Sequence, residues 1–238
     1  MIGLGILLFA AFLVVITVGS LHAQRVEAER CAKLTLFAQQ HGMIFSSARE
    51  PHLPGALGSM ADFARGHSRY AYNLLTGVVR VADRSPQLLT GDYHYAVTRR
   101  SNNRSRTTHY RFSFLAVRCA KPATPRVTLR REMFIDKISS ALGFNDIDFE
   151  SAEFSRRFHV SSDDKRFAYD LLHPRAIEAL LETSPERLEL CGEWLCLTNG
   201  TQRWEPDEFL LWRNWMSEFI GLWPAHLEAS LAPTEETF

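Results

Sequence analysis

Between Tyr93 and Val117 the chain switches to a period of two. Tyr93, Tyr95 and Val97 alternate with His94, Ala96 and Thr98, and Tyr110, Phe112, Phe114 and Ala116 alternate with Arg111, Ser113, Leu115 and Val117. That period belongs to an extended strand, whose side chains point alternately to opposite faces. The two runs are joined by the polar stretch Arg99-Arg100-Ser101-Asn102-Asn103-Arg104-Ser105-Arg106. Two such runs around one polar connection predict a long antiparallel hairpin, and a chain built around it must cover the hairpin's apolar face.

A second hairpin is legible in Leu188-Glu189-Leu190-Cys191-Gly192-Glu193-Trp194-Leu195-Cys196-Leu197, turning at Gly192-Glu193, where glycine suits a type II′ turn. In that register Cys191 faces Trp194 and Cys196 faces Glu189, so the two thiols are not partners. The four cysteines, Cys31, Cys119, Cys191 and Cys196, lack the close pairing of zinc or redox sites and read as free thiols. Val127 and Leu129 mark a further strand, as do Ile147 with Phe149 and Phe158 with Val160.

Helical spacing appears in blocks between these strands. Ala28, Cys31, Leu34 and Ala38 lie on one face of a helix stopped by Gly42. Leu57, Met60, Phe63 and Ala64 predict a short helix, and Phe134, Ile138, Ala141 and Leu142 an amphipathic one. Ser162 is placed to cap a helix carrying Phe167 and Leu171, and Pro174 to open another carrying Ile177, Leu180 and Leu181. After Pro206, Phe209, Trp212, Met216, Phe219, Ile220 and Trp223 recur at three- and four-residue steps. Hairpins flanked by blocks of helix predict an α+β fold with a mainly antiparallel sheet. No glycine-rich turn joins a strand to a helix, which argues against nucleotide binding of the Rossmann or P-loop kind.

The first residues, MIGLGILLFAAFLVVITVGSL, carry no charged side chain. As a helix they span roughly 30 Å, one hydrocarbon core, and nothing basic precedes them as a cleaved signal peptide requires. This predicts a transmembrane anchor over 1–21, a juxtamembrane helix or stalk over 22–50, a soluble domain over 51–228 and a flexible tail over 229–238. The bilayer is then a partner through residues 1–21. Arg25, Arg30 and Lys33 after the run would set a single-pass orientation at the plasma or inner membrane with the domain in the cytoplasm. The alternative is an extracytoplasmic envelope protein.

The segment Asp148-Phe149-Glu150-Ser151-Ala152-Glu153-Phe154-Ser155-Arg156-Arg157-Phe158-His159-Val160 continues through Asp164-Lys165-Arg166-Phe167-Ala168 to Leu171-Leu172-His173-Pro174-Arg175. It resembles a family of bacterial membrane-anchored proteins of unknown function. The resemblance implies an anchor followed by one domain and brings no activity, cofactor or catalytic residue with it.

Composition narrows the function classes. The 27 basic and 27 acidic residues cancel, which argues against a surface given over to nucleic acid. Basic charge is nevertheless concentrated at the tip of the first hairpin, where Arg99, Arg100, Arg104, Arg106 and Arg111 occur with no acid among them. Such a tip suits anionic lipid or an acidic protein partner, or serves only to keep a sheet edge soluble. Asp92, His94 and His109 lie on the same hairpin, and their convergence would make a metal or hydrolytic site. Glu150, Glu153, Asp163 and Asp164 offer paired carboxylates, but Arg156, Arg157, Lys165 and Arg166 stand ready to pair with them. Gly66-His67-Ser68-Arg69-Tyr70 has part of a nucleophile elbow and lacks its last glycine. The five tryptophans, all from Trp194 to Trp223, belong either to a core helix or to a membrane interface. No cofactor is expected. The sequence favours a non-enzymatic binding or scaffolding domain over a hydrolase or metalloenzyme.

Overall fold

The computed structural model describes residues 2–101, 104–132, 147 and 149–231, with the side chains of residues 2–16 outside that description. An eight-stranded sheet, fully antiparallel among the described residues, forms the frame, in the order β1-β2-β3-β4-β8-β7-β5-β6. Its strands are β1 (Ile44–Ser46), β2 (His67–Val78), β3 (Gln87–Ser101), β4 (Arg104–Arg118), β5 (Val127–Arg131), β6 (Phe158–Ser162), β7 (Arg187–Cys191) and β8 (Trp194–Thr198). The helices are α1 (Ile2–Gln40), α2 (Ala152–Arg157), α3 (Lys165–Leu171), α4 (Pro174–Thr183), α5 (Pro206–Gly221) and α6 (Ala225–Leu231). The α+β reading with hairpins and flanking helices therefore holds.

The transmembrane helix does not. Among the described residues no helix is long and apolar enough to cross a membrane. The charge-free run forms the front of α1, which continues without a break to Gln40 and so takes in Arg25, Glu27, Glu29, Arg30 and Lys33. The basic residues of the orientation argument are engaged within the protein: Arg25 with Glu29, Arg30 with Asp92 and Lys33 with Glu205.

Both faces of the central strands are covered. On one face Leu34 and Phe37 of α1 join Leu75, Leu115, Val117, Leu195 and Leu197 of the sheet and Met216 and Phe219 of α5. On the other, the segment around Leu57, Met60 and Phe63 closes over Tyr93, Phe112, Phe114 and Trp194. The first of these coverings shows that the second half of α1 belongs to the core. All five tryptophans are buried, from Trp194 and Trp204 at 2% exposure to Trp215 at 9%, which selects the core over the interface reading.

Local signals succeed where one residue type decides. Gly192 has φ +55° and turns β7 into β8 with Cys191 opposite Trp194 and Cys196 opposite Glu189, as expected. All four cysteines are free. Pro174 opens α4, and Pro206 opens α5 behind a capping box of Glu205 and Glu208. Elsewhere the expectations need correction. Asp164, not Ser162, caps α3, accepting from the Phe167 N–H at 3.1 Å, while Ser162 ends β6. The helix expected at 57–64 is a 3-10 turn over Gly55–Ser59. Phe149 lies outside any strand, and α2 fills most of the interval up to β6. The helix expected around Phe134 to Leu142 lies outside the described residues. Helix α6 buries Leu227 and Leu231 at the point where a loose tail was expected.

Strand β2 escaped the sequence reading because its period is broken twice. Ser68 and Asn73 have φ of 53° and 51°, and the register with β3 shifts between His67 and Tyr70 and again between Tyr72 and Leu75. The second irregularity fits Gly91 on β3, where an added Cβ would lie 2.8 Å from the Asn73 carbonyl oxygen. If α1 is integral to the core, Leu34→Ala, at a site with 0% exposure, should lower unfolding stability by about 2–5 kcal/mol in urea titration. A loss below about 1 kcal/mol would show that the helix is only loosely applied.

Candidate functional site

Strands β3 and β4 are longer than anything beside them. Their pairing runs unbroken from Gln87↔Arg118 to Ser101↔Arg104. Strand β2 ends its pairing with β3 at His67↔Ala96, and β8 ends its pairing with β4 at Phe114↔Thr198. Beyond those points the two strands project as an arm, whose tip, residues 102–103, lies outside the described residues.

Register sorts the five candidate arginines between two faces. Arg99 stands directly opposite Arg106, and Arg104 opposite Ser101, so these three share the face of Tyr95, Tyr110 and Phe112. Arg100, opposite Ser105, and Arg111, opposite His94, belong to the face of α1. All five are exposed, and no described carboxylate lies within 4 Å of any of them. Like charges opposite one another on a sheet cost about 0.2–1 kcal/mol, so Arg99 and Arg106 are not placed for the arm's own stability. Tyr95 and Tyr110, ring centroids 4.9 Å apart and 12° from parallel, form a flat aromatic step between these arginines and the root of the arm.

At that root, on the aromatic face, a cleft of about 520 Å³ opens over Tyr95 and Phe112. Arg65, Arg131 and Arg187 line it with Asp62 and Glu186, the pairs Arg187–Asp62 and Arg131–Glu186 closing at 3.2 and 3.0 Å. No sequence signal marked these residues, because the cleft is assembled from β5, β7 and the turns after the 3-10 segment and β8. A second cleft of about 500 Å³ lies on the α1 side, where Arg111 meets Lys33, Arg203 and Glu29.

Asp92, His94 and His109 share the α1 face of the arm's root but do not make a metal site. Both carboxylate oxygens of Asp92, which is fully buried, are taken by Arg30, Nε to Oδ2 at 2.8 Å and Nη2 to Oδ1 at 2.7 Å. Asn73 donates to Oδ2 at 3.1 Å and Ser113 to Oδ1 at 2.7 Å. Glu27 extends the network, accepting from Asn73 at 2.7 Å and from Arg203 at 2.6 Å. Burial pushes the Glu27 carboxyl up, but the hydrogen bonds from Arg203 and Asn73 outweigh it and hold the group below its ordinary range. Burial next to Asp92 pushes the Tyr72 hydroxyl to about 12. Among the described residues no three His, Cys, Asp or Glu side chains converge on a common point.

His94 and His109 instead bond to each other, Nε2 to Nδ1 at 3.1 Å, with Tyr70 stacked on His94 at 4.6 Å and Arg49 over Tyr70 at 4.8 Å. Burial lowers the His94 pKa, the Ser68 carbonyl partly restores it, and Arg111, His109 and Arg49 lower it further.

The other candidates serve the fold. Glu153 pairs with Arg157 at 2.6 Å, Asp164 is the α3 cap, and Asp163 and Glu150 are exposed. Ser68 sits in the opening of β2 rather than between a strand and a helix, so it is no nucleophile elbow.

Two measurements probe this root. Arg30→Met leaves Asp92 buried without its charge partner and should cost about 3–5 kcal/mol in chemical denaturation, a loss that the double change with Asp92→Leu largely restores. With its pKa lowered in the folded state, His94 binds fewer protons folded than unfolded. Its contribution is complete above about pH 6.5 and is lost as pH falls through the folded pKa. The thermal midpoint should therefore drop on acidification from about pH 7.5 to about pH 5, more steeply than in His94→Gln.

No family model matches the chain, and no curated protein matches its sequence. Among solved structures, the crystal structure of the mycobacterial trehalose monomycolate transport factor A, TtfA, is similar with a TM-score of 0.52 at 11% identity, over 82% of this chain and 96% of that one. At that identity the likeness shows a shared fold and nothing of the site.

Proposed function

We propose that the chain is a non-enzymatic binding or scaffolding domain that engages an acidic protein partner through its arginine arm. One observation carries the reading: Arg99, Arg100, Arg104, Arg106 and Arg111 are exposed on a projecting two-stranded arm with no described carboxylate within 4 Å. Elsewhere among the described residues arginines are commonly paired, as Arg131 is with Glu186 and Arg118 with Glu193. Unpaired guanidinium groups are ready donors for carboxylates, and an arm free of internal acids steers an acidic surface toward itself. The competing reading, a catalytic centre at Asp92, His94 and His109, loses support because Asp92 is consumed by the clamp to Arg30.

The test is fluorescence anisotropy of a labelled polyglutamate peptide titrated with the full chain, beside a variant with Arg99, Arg100, Arg104 and Arg106 changed to Ser. Binding should weaken at least about tenfold in the variant and fade at about 0.5 M salt. Equal binding by both proteins removes the arm from the function. Binding to anionic vesicles with none to the peptide would replace the protein partner by a lipid surface.

A further inference from the structure

The arm has an open edge as well as a charge. The Ser113 N–H donates to the Gln202 carbonyl at 3.2 Å, on the side of β4 away from β3. Alternate residues of a strand direct their N–H and C=O groups to the same side. Arg111, His109, Thr107 and Ser105 therefore present theirs along that outer line, where no described strand lies. From Arg104 to Phe112 the free edge spans roughly 30 Å.

We infer that this edge of β4 receives the partner's acidic segment as an added β-strand, an inference that rests on the binding reading above. An open edge is a template for another chain, and proteins blunt it with proline, bulges, short strands or charge. Here there is no proline from Arg104 to Phe112 and no shift of register with β3, and charge is the protection left. That protection is selective. Arg104 and Arg106 on one face and Arg111 on the other repel a second copy of the same edge, and the same charges attract a strand carrying glutamate or aspartate. The edge also runs between the two clefts at its root, one over Tyr95 and Phe112 and one beside Lys33 and Arg203, each with more basic than acidic side chains. A strand laid along β4 directs its side chains alternately toward these two faces. The chemistry that fits is an extended peptide of alternating character, with its carboxylates on the face of Arg104 and Arg106 and apolar side chains on the other. Main-chain hydrogen bonds to Ser105, Thr107, His109 and Arg111 would hold it, and salt bridges to Arg104 and Arg106 would set its register.

The probe is a synthetic peptide of five Glu-Val repeats, with Lys-Val repeats as control, added to the isotope-labelled full chain while amide exchange is followed residue by residue. Strand addition protects the amides of Ser105, Thr107, His109 and Arg111. It leaves Arg106, Thr108 and Tyr110, which already face β3, unchanged. Thr107→Pro, which removes an outward backbone donor and no backbone bond to β3, at the loss of the exposed Thr98–Thr107 hydroxyl contact, should weaken the Glu-Val peptide at least about tenfold in anisotropy while the far-UV spectrum is retained. Should that variant misfold, the exchange pattern of the unaltered chain decides alone. Glu-Val binding without the alternating protection overturns strand addition and leaves the electrostatic reading standing. Failure of both the Glu-Val and polyglutamate peptides to bind overturns the two together, and equal binding of Lys-Val overturns the charge selection.

Discussion

The buried pair of Arg30 and Asp92 is the constraint on which the rest of the molecule is arranged. One partner comes from α1 and the other from the centre of the sheet, and both lie out of reach of water. A carboxylate in that position is tolerated only with its charge matched and its lone pairs filled. Arg30, Asn73 and Ser113 do both. Each of these residues is held there by something larger. Asn73 reaches Asp92 because β2 bulges there, with Gly91 giving the bulge room. Ser113, in turn, accepts from the Trp204 N–H at 2.8 Å, which ties the approach to α5 to the same point. The network therefore fixes the direction of α1, the irregularity of β2 and the start of α5 together.

That arrangement positions the arm. Below Ala96 and Phe114 the central strands are held between neighbours and covered on both faces. Above those points the hairpin continues mainly by its own pairing, tied at its base by the Ser113–Gln202 bond and by His67 to Thr98 at 2.9 Å. A rigid root with a projecting, charged end suits the capture of a partner at a defined orientation, because little ordering remains to be done at the binding step. The clamp also takes one candidate group out of the His and Asp cluster on these adjacent strands. The carboxylate that would have acted as ligand or base is already the counter-ion of the helix.

Much of the frame could be read without coordinates. The alternation from Tyr93 to Val117, the turn at Gly192 and the helix after Pro206 each depend on neighbours in sequence, and each stands where it was expected. The arginine tip was legible as composition. Its division into two faces was partly legible as well, since a period of two separates Arg99 from Arg100. After the charge-free N-terminal run a stalk outside the domain was expected, but the helix runs on unbroken and its second half packs into the core, a contact that residues in its own neighbourhood do not announce. Strand β2 was missed because its two left-handed residues erase the period on which a strand is recognised.

By itself the sequence determined the hairpins, the fold class, the free thiols and the concentration of arginine in one stretch, all properties of local spacing and residue type. The tertiary structure alone decided what those residues meet. Arg30 and Asp92 are 62 positions apart, and nothing in either neighbourhood announces the pair. The cleft of Arg65, Arg131 and Arg187 joins segments from opposite ends of the domain, and the open edge of β4 exists only because β8 stops at Thr198. Such features depend on where strands end relative to one another, which is set by packing across the sheet. A single strand's own residues carry no record of it.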